Sequence, residues 1–185
     1  LKRSHLAREI IETIALTLII FLVIHLTVQN YQVQGTSMQP GLQNNEYVLV
    51  NKLAYLFHPP ERGDVIVFHW PVDTNKDLIK RVIGLPGDVI TLTLTTVSVN
   101  GVTLQEPYVK VPANPIGSKI VVPPDQYFVL GDNRQFSDDS REWGFVPKSY
   151  IIGKAVMIYW PLNNWQFINT YASVFNKIPN SPGKH

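Results

Sequence analysis

The run "TIALTLIIFLVIHLTV", Thr13 to Val28, constrains this chain more than any other stretch, since it carries no formal charge if His25 is neutral. As a helix rising about 1.5 Å per residue it reaches roughly 24 Å, short of the ~30 Å hydrocarbon core of a bilayer. Extension back through Ile10 and Ile11 supplies the missing length and leaves Glu12 near the headgroups. Lys2, Arg3 and Arg8 precede it, so the positive-inside bias keeps residues 1–9 in the cytoplasm. The following "QNYQVQG" lacks the paired small residues at which a secretory signal is cut. Residues 10–29 are therefore expected to form an uncleaved single-pass anchor, with everything after it outside the cytoplasm. A buried core helix is the alternative. The chain opens on Leu1 and not on methionine, as a fragment or a processed form would.

Beyond the anchor the pattern changes to short β-type runs broken by turn residues. "YQVQGTSM" alternates and meets the turn "QPGLQNN"; "EYVLVNKLAY", "GDVIVFHW" and "LIKRVIG" are rich in strand formers. "VITLTLTTVSV" leads to Asn100-Gly101, a strong hairpin signal, with "VTLQEPYVK" as the return strand. "QYFVLGD" and "IIGKAVMIYW" complete the set. With no long amphipathic helix, these runs predict a mainly β, antiparallel sandwich or barrel-like domain over residues 30–168. Pro112 to Pro124 reads as a loop, and residues 169–185, polar with Pro and Gly, as a loosely held tail. There is no cysteine, which excludes a disulfide framework and a thiol nucleophile. The net charge of +2 is spread thinly, unlike a nucleic-acid footprint.

Within "DLIKRVIGLPGD", Lys80 and Arg81 adjoin in an otherwise apolar strand. Side chains alternate along a strand, so at least one of these cations lies among aliphatic neighbours. Arginine keeps its proton, whereas a desolvated lysine can lose one. Lowering a lysine pKa from about 10.4 to 7–8 asks burial to disfavour the charged form by roughly 3–5 kcal/mol. A neutral amine can take the proton of a serine hydroxyl, which is otherwise a poor nucleophile. Ser37, in "GTSMQPG" between a strand and a tight turn, is the candidate partner, although serine is also a common turn former. Arg81 needs an acidic partner, and the polar stretch "GDNRQFSDDSREWG" supplies Asp132 and Asp139 with Arg134 and Arg141. A calcium loop fails there, because Arg134 and Phe136 occupy ligand positions.

The set "GTSMQPGL", "RGDVIVF", "LIKRVIGLPGD" and "GDNRQFSDDSREWGFVP" resembles the bacterial type I signal peptidases of peptidase family S26, membrane-anchored Ser-Lys serine endopeptidases. The resemblance covers the anchor and most of residues 31 to 161. It implies Ser37 as nucleophile, Lys80 as general base and Ser137 as the serine that hydrogen-bonds the lysine. It further implies Asp139–Arg141 and Arg81–Asp132 as ion pairs beside the site. Some members carry a serine two residues before the nucleophile whose hydroxyl lines the oxyanion hole; here that place is Gly35. The family cuts signal peptides from exported pre-proteins after small-x-small sequences, and the apolar neighbours Val33, Met38, Leu42 and Ile79 are expected to line its pockets. Residues 91–121 correspond to a small inserted β subdomain. The implied location is the bacterial plasma membrane, with signal peptides and lipid as partners and no metal, cofactor or nucleic acid. Leu56, Phe57, Trp160 and Trp165 lie near turns and are candidates for contact with the bilayer interface.

Three other readings compete. A Ser-His-Asp hydrolase would use His69 with Asp73; a self-cleaving repressor-type peptidase would need a DNA-binding unit; and a catalytically inactive anchored β-domain would only bind peptides. A zinc protease is disfavoured because no two histidines have HExxH spacing.

Overall fold

A computed structural model describes residues 2–114 and 117–179. Helix α1 (Lys2–Thr27) ends two residues sooner than the anchor expected over 10–29. Val28 and Gln29 instead open strand β1 (Val28–Gln32), where they pair with Asn51 and Val50 of β2 (Tyr47–Asn51). A strand partner is available there, and Lys52 N–H donates to the Thr27 carbonyl at 2.9 Å, closing the helix against the sheet. From Ile10 to Leu26 the apolar side chains of α1 are exposed, with no protein surface covering them. A helix apolar all round is suited to a lipid environment.

The larger sheet is antiparallel and built on β3 (Val65–Trp70) and the long β4 (Asp73–Gly84). The remaining strands in chain order are β5 (Val89–Leu92), β6 (Val97–Val99), β7 (Val102–Thr103), β8 (Ser118–Val121) and β9 (Gln126–Leu130). After them come helix α2 (Ser140–Trp143), β10 (Val146–Pro147), β11 (Ile151–Trp160), β12 (Gln166–Phe167) and helix α3 (Ala172–Phe175). The large sheet runs β1-β2-β11-β3-β4-β9-β10, with β12 on β11, and the small sheet runs β7-β6-β5-β8. Two of the free edges of the large sheet border one cleft. β1 ends the large sheet, and β4 pairs with β9 only from Arg81 to Gly84, leaving residues 77–80 unpaired on that side.

The small sheet spans Val89 to Val121, beginning just ahead of the insertion expected at 91–121. "VITLTLTTVSV", read as one strand from its β propensity, is two. Thr93 N–H donates to Thr96 O at 3.0 Å and the two hydroxyls meet at 2.7 Å, folding the chain back. Asn100 and Gly101 make the expected tight turn with φ of 51° and 83°, but the return strand is only β7. Part of the expected Pro-rich loop is strand β8, paired with β5; its residues 115–116 lie outside the described residues.

The tail requires a larger correction. Phe175 and Ile178 are buried in the core that the small sheet shares with Ile83, Phe128 and Leu130. Asn100 Nδ2 donates to Pro179 O at 3.0 Å. Residues 169–179 are packed rather than loosely held, because a few apolar residues inside a polar, Pro-containing stretch find a groove to fill. Residues 180–185 lie outside the described residues.

Candidate active site

Both cations of β4 are buried, with Lys80 3% and Arg81 2% exposed, on opposite sides of the strand. Ser37 sits on a turn in which Gln39 N–H donates to Thr36 O at 3.1 Å and Leu42 N–H to Met38 O at 2.9 Å. The loop after β9 secures that turn: Asn133 N–H donates to Ser37 O at 3.0 Å and Asn133 Nδ2 to Thr36 O at 3.1 Å. The result brings Lys80 Nζ to 2.8 Å from Ser37 Oγ. Burial lowers the Lys80 pKa to about 8, against the attraction of Asp139, Asp138 and Asp132 for the charged form and with a small push from Arg141.

Arg81 forms a bidentate pair with Asp132 at 2.8 and 2.7 Å and donates to the carbonyls of Gly63 and Asn169, both at 2.9 Å. Its guanidinium stacks on Tyr108 and Tyr171, 4.5 and 5.1 Å from the ring centres. Asp139 is fully buried and accepts from Arg141 Nε at 2.8 Å, from Gly131 N–H at 3.0 Å and from Ser137 Oγ at 2.7 Å. The Ser137 hydroxyl hydrogen is thus directed at Asp139, and no Ser137–Lys80 hydrogen bond is formed among the described residues, though the Ser137 oxygen keeps lone pairs that can accept from an amine. Arg141 also donates to the Ala113 carbonyl, reaching into the insertion.

A cleft of about 280 Å³ runs between the two free edges. Tyr31, Gln32, Val33 and Gln34 form one wall and Asp77, Leu78, Ile79 and Lys80 the other, with Ser37 at the Lys80 end. Val33 and Ile79 line it, but Met38 and Leu42 do not. These two are 1% and 2% exposed and pack in the core with Val48, Val50 and Ile158, because the turn after Ser37 folds them inward. Val48 and Val67 line the cleft in their place. Gly35 has φ of 91° and its N–H donates to Asn44 Oδ1 at 2.8 Å, so it offers neither a hydroxyl nor a free backbone donor. The Ser37 N–H has no hydrogen-bond acceptor among the described residues. His69 lies 2.8 Å from Asp77 and Asp73 pairs with Lys76, so the proposed His69–Asp73 couple is not formed.

Some contributors escaped the sequence reading. A Cβ on Gly131 would stand 2.1 Å from Ser137 Oγ and 2.5 Å from the Ser37 carbonyl, so only glycine lets this loop approach the Ser37 turn. Arg134 pairs bidentately with Glu106 at 3.0 and 2.6 Å, tying the loop to the insertion. Gly131 and Arg134 stand at the two ends of "GDNR", so their motif was visible while their partners were not.

Residues 7–160 match the family model described as signal peptidase, peptidase S26. Signal peptidase I of Leptolyngbya laminosa is 42% identical over 164 residues, covering 84% of this chain and 80% of the relative. Signal peptidase I of Bacillus caldolyticus is 41% identical over 152 residues, covering 75% and 82%. Signal peptidase IB of Staphylococcus aureus (strain MRSA252) is 34% identical over 183 residues, covering 89% and 95%.

Proposed function

The chain belongs to the signal peptidase family, peptidase S26, and has signal peptidase I function; from that premise we propose that Ser37 is its nucleophile and neutral Lys80 its general base. The reading rests on one observation, the 2.8 Å contact between a buried lysine and a serine that line the same cleft. In the first half-reaction Lys80 Nζ takes the Ser37 hydroxyl proton as Oγ attacks the carbonyl of the scissile bond. The Ser37 N–H, free of other acceptors, donates to the oxygen as it becomes negative. Lys80 then passes the proton to the departing amine, leaving an ester on Ser37. In the second half-reaction Lys80 activates a water that hydrolyses the ester. Asp139, Asp138 and Asp132 favour the ammonium when it forms, without abolishing the neutral state that burial maintains.

The substrate adds as a strand between the free edges of β1 and β4, its backbone completing the unpaired ladders. Valine and isoleucine walls in a narrow cleft leave space for small side chains, in keeping with cleavage after small-x-small sequences. α1 anchors the chain in the bacterial plasma membrane with its N-terminus cytoplasmic, and the domain from residue 30 to 168 works outside. A signal peptide's apolar segment also lies in the bilayer, so residues before the cut run along β1 from its α1 end toward Ser37. Trp160, Leu162, Trp165 and Phe167, between 50% and 70% exposed, form an apolar group that rests on the lipid interface. Leu56 and Phe57 are exposed as well.

The test uses detergent-solubilised protein and a pre-protein whose signal ends in Ala-x-Ala. Ser37→Ala, Lys80→Ala and Lys80→Arg are each expected to lose cleavage, while His69→Ala retains it. The arginine variant is the decisive one, since it keeps length and charge but cannot give up its proton. Substantial cleavage by Lys80→Arg overturns the assignment of the base. An inactive wild type would favour the alternative of a domain that only binds peptides.

A further inference from the structure

At the end of the cleft away from Ser37, three strands bring together polar groups that peptide-bond cleavage does not require. Asp77 on β4 stands directly opposite His69 on β3, with His69 Nδ1 at 2.8 Å from Asp77 Oδ1. Tyr31 on β1 interacts with the same carboxylate; burial first, then the Asp77 charge, pushes its phenol up to about 12, so it stays neutral. Tyr31 and Asp77 both line the cleft, and the Asp77 side chain is 30% exposed. The nearest charges on β4, Asp73 and Lys76, pair with each other at 3.2 Å. Asp77 thus brings a carboxylate to this end of the cleft with no lysine or arginine paired to it among the described residues.

A purely structural role would be to fasten the free edge of β4 to β1. That role does not account for a carboxylate in the cleft wall, since a neutral side chain would fasten the strands without charging the path of the substrate. Asp77 precedes Lys80 by three residues, about 10 Å along a strand. A peptide strand in the cleft advances at the same rate. With its carbonyl at Ser37, the residue beside Asp77 is then about the fourth before the scissile bond.

We propose that Asp77, positioned by Tyr31 and His69, selects charge in the signal peptide, favouring a lysine or arginine at about the fourth residue before the cut and disfavouring a carboxylate there. This rests on the peptidase reading and on the direction of the substrate given above. Partly exposed charge pairs change binding by a few-fold each, so attraction and repulsion together separate lysine from glutamate by about tenfold.

The experiment measures kcat/KM for peptides with an Ala-x-Ala cleavage site that carry lysine, glutamine or glutamate at the third, fourth or fifth residue before the cut. The quantity read is the lysine-to-glutamate ratio within one enzyme, which is independent of how much of a variant is folded. The wild type is expected to give about tenfold at one of these positions, mostly in KM, shrinking in 1 M salt where screening is nearly complete. Asp77→Asn is expected to reduce the ratio to about twofold, and Asp77→Lys to invert it. An unchanged ratio in Asp77→Asn, or no ratio in the wild type at any of the three positions, overturns the proposal. Failure of the wild type to cut any peptide would contradict the peptidase reading itself, a result distinct from a lost preference.

Discussion

At Lys80 two opposing effects set the affinity for a proton. Burial removes the water that would solvate an ammonium, while three carboxylates favour it; burial is the larger effect and the pKa settles at about 8. This has a consequence for stability. The unfolded chain, with the ordinary value of 10.5, binds more protons than the folded chain between pH 8 and 10.5. Wild-type stability therefore rises with pH through that window. Below pH 8 the buried amine costs about 3 kcal/mol, the free-energy equivalent of the lowered pKa. Lys80→Met, of similar length and apolar, is expected to be inactive yet more stable at pH 7 by about 2–3 kcal/mol. Chemical denaturation at pH 7 and at pH 10.5 checks this, with the gap nearly closed at the higher value. The lysine was legible in the sequence because a strand forces alternate residues to opposite faces, and two adjacent cations cannot both face water in an apolar run. Gly131 and Asn133 were not legible as partners of the Ser37 turn, since the contacts cross from one end of the chain's fold to the other.

Among the elements, β4 does the most to assemble the site. One residue of it reaches Ser37, and the next gathers Asp132, two carbonyls and two tyrosines. Of those partners, Asn169 and Tyr171 belong to the tail, and Tyr108 to the loop after β7. Truncation after Ile168 removes the Asn169 and Tyr171 contacts and leaves the cavities of Phe175 and Ile178 unfilled. It is expected to lower stability by about 4 kcal/mol or more, from burial worth about 1.5–3 kcal/mol per large apolar side chain. Thermal unfolding checks it, and a truncated form melting with the full chain would contradict the packing. The strands β2, β3, β4, β9 and β11 were legible because their valine, isoleucine and aromatic runs are bounded by turn residues. The tail was misread because composition averages over a stretch and hides two well-placed apolar residues. The split between β5 and β6 was missed because "TLTT" has strand propensity, while the threonine hydroxyls stabilise a turn instead.

At the scale of the whole molecule, the proposed arrangement has the apolar helix α1 as anchor and the exposed aromatic group on lipid, together holding the cleft at the bilayer. The chain has four tryptophans, of which Trp160 and Trp165 are half-exposed. In vesicles of brominated lipid, the full chain is expected to lose much of its tryptophan fluorescence, and the Trp160→Phe, Trp165→Phe double variant little of what remains. Equal fractional quenching in the two would place the aromatic group away from lipid. The most direct test of the account's centre is the pH dependence of kcat/KM for cleavage of an Ala-x-Ala pre-protein. A neutral Lys80 predicts a tenfold fall per pH unit below about 8. A profile flat down to pH 5 would contradict it.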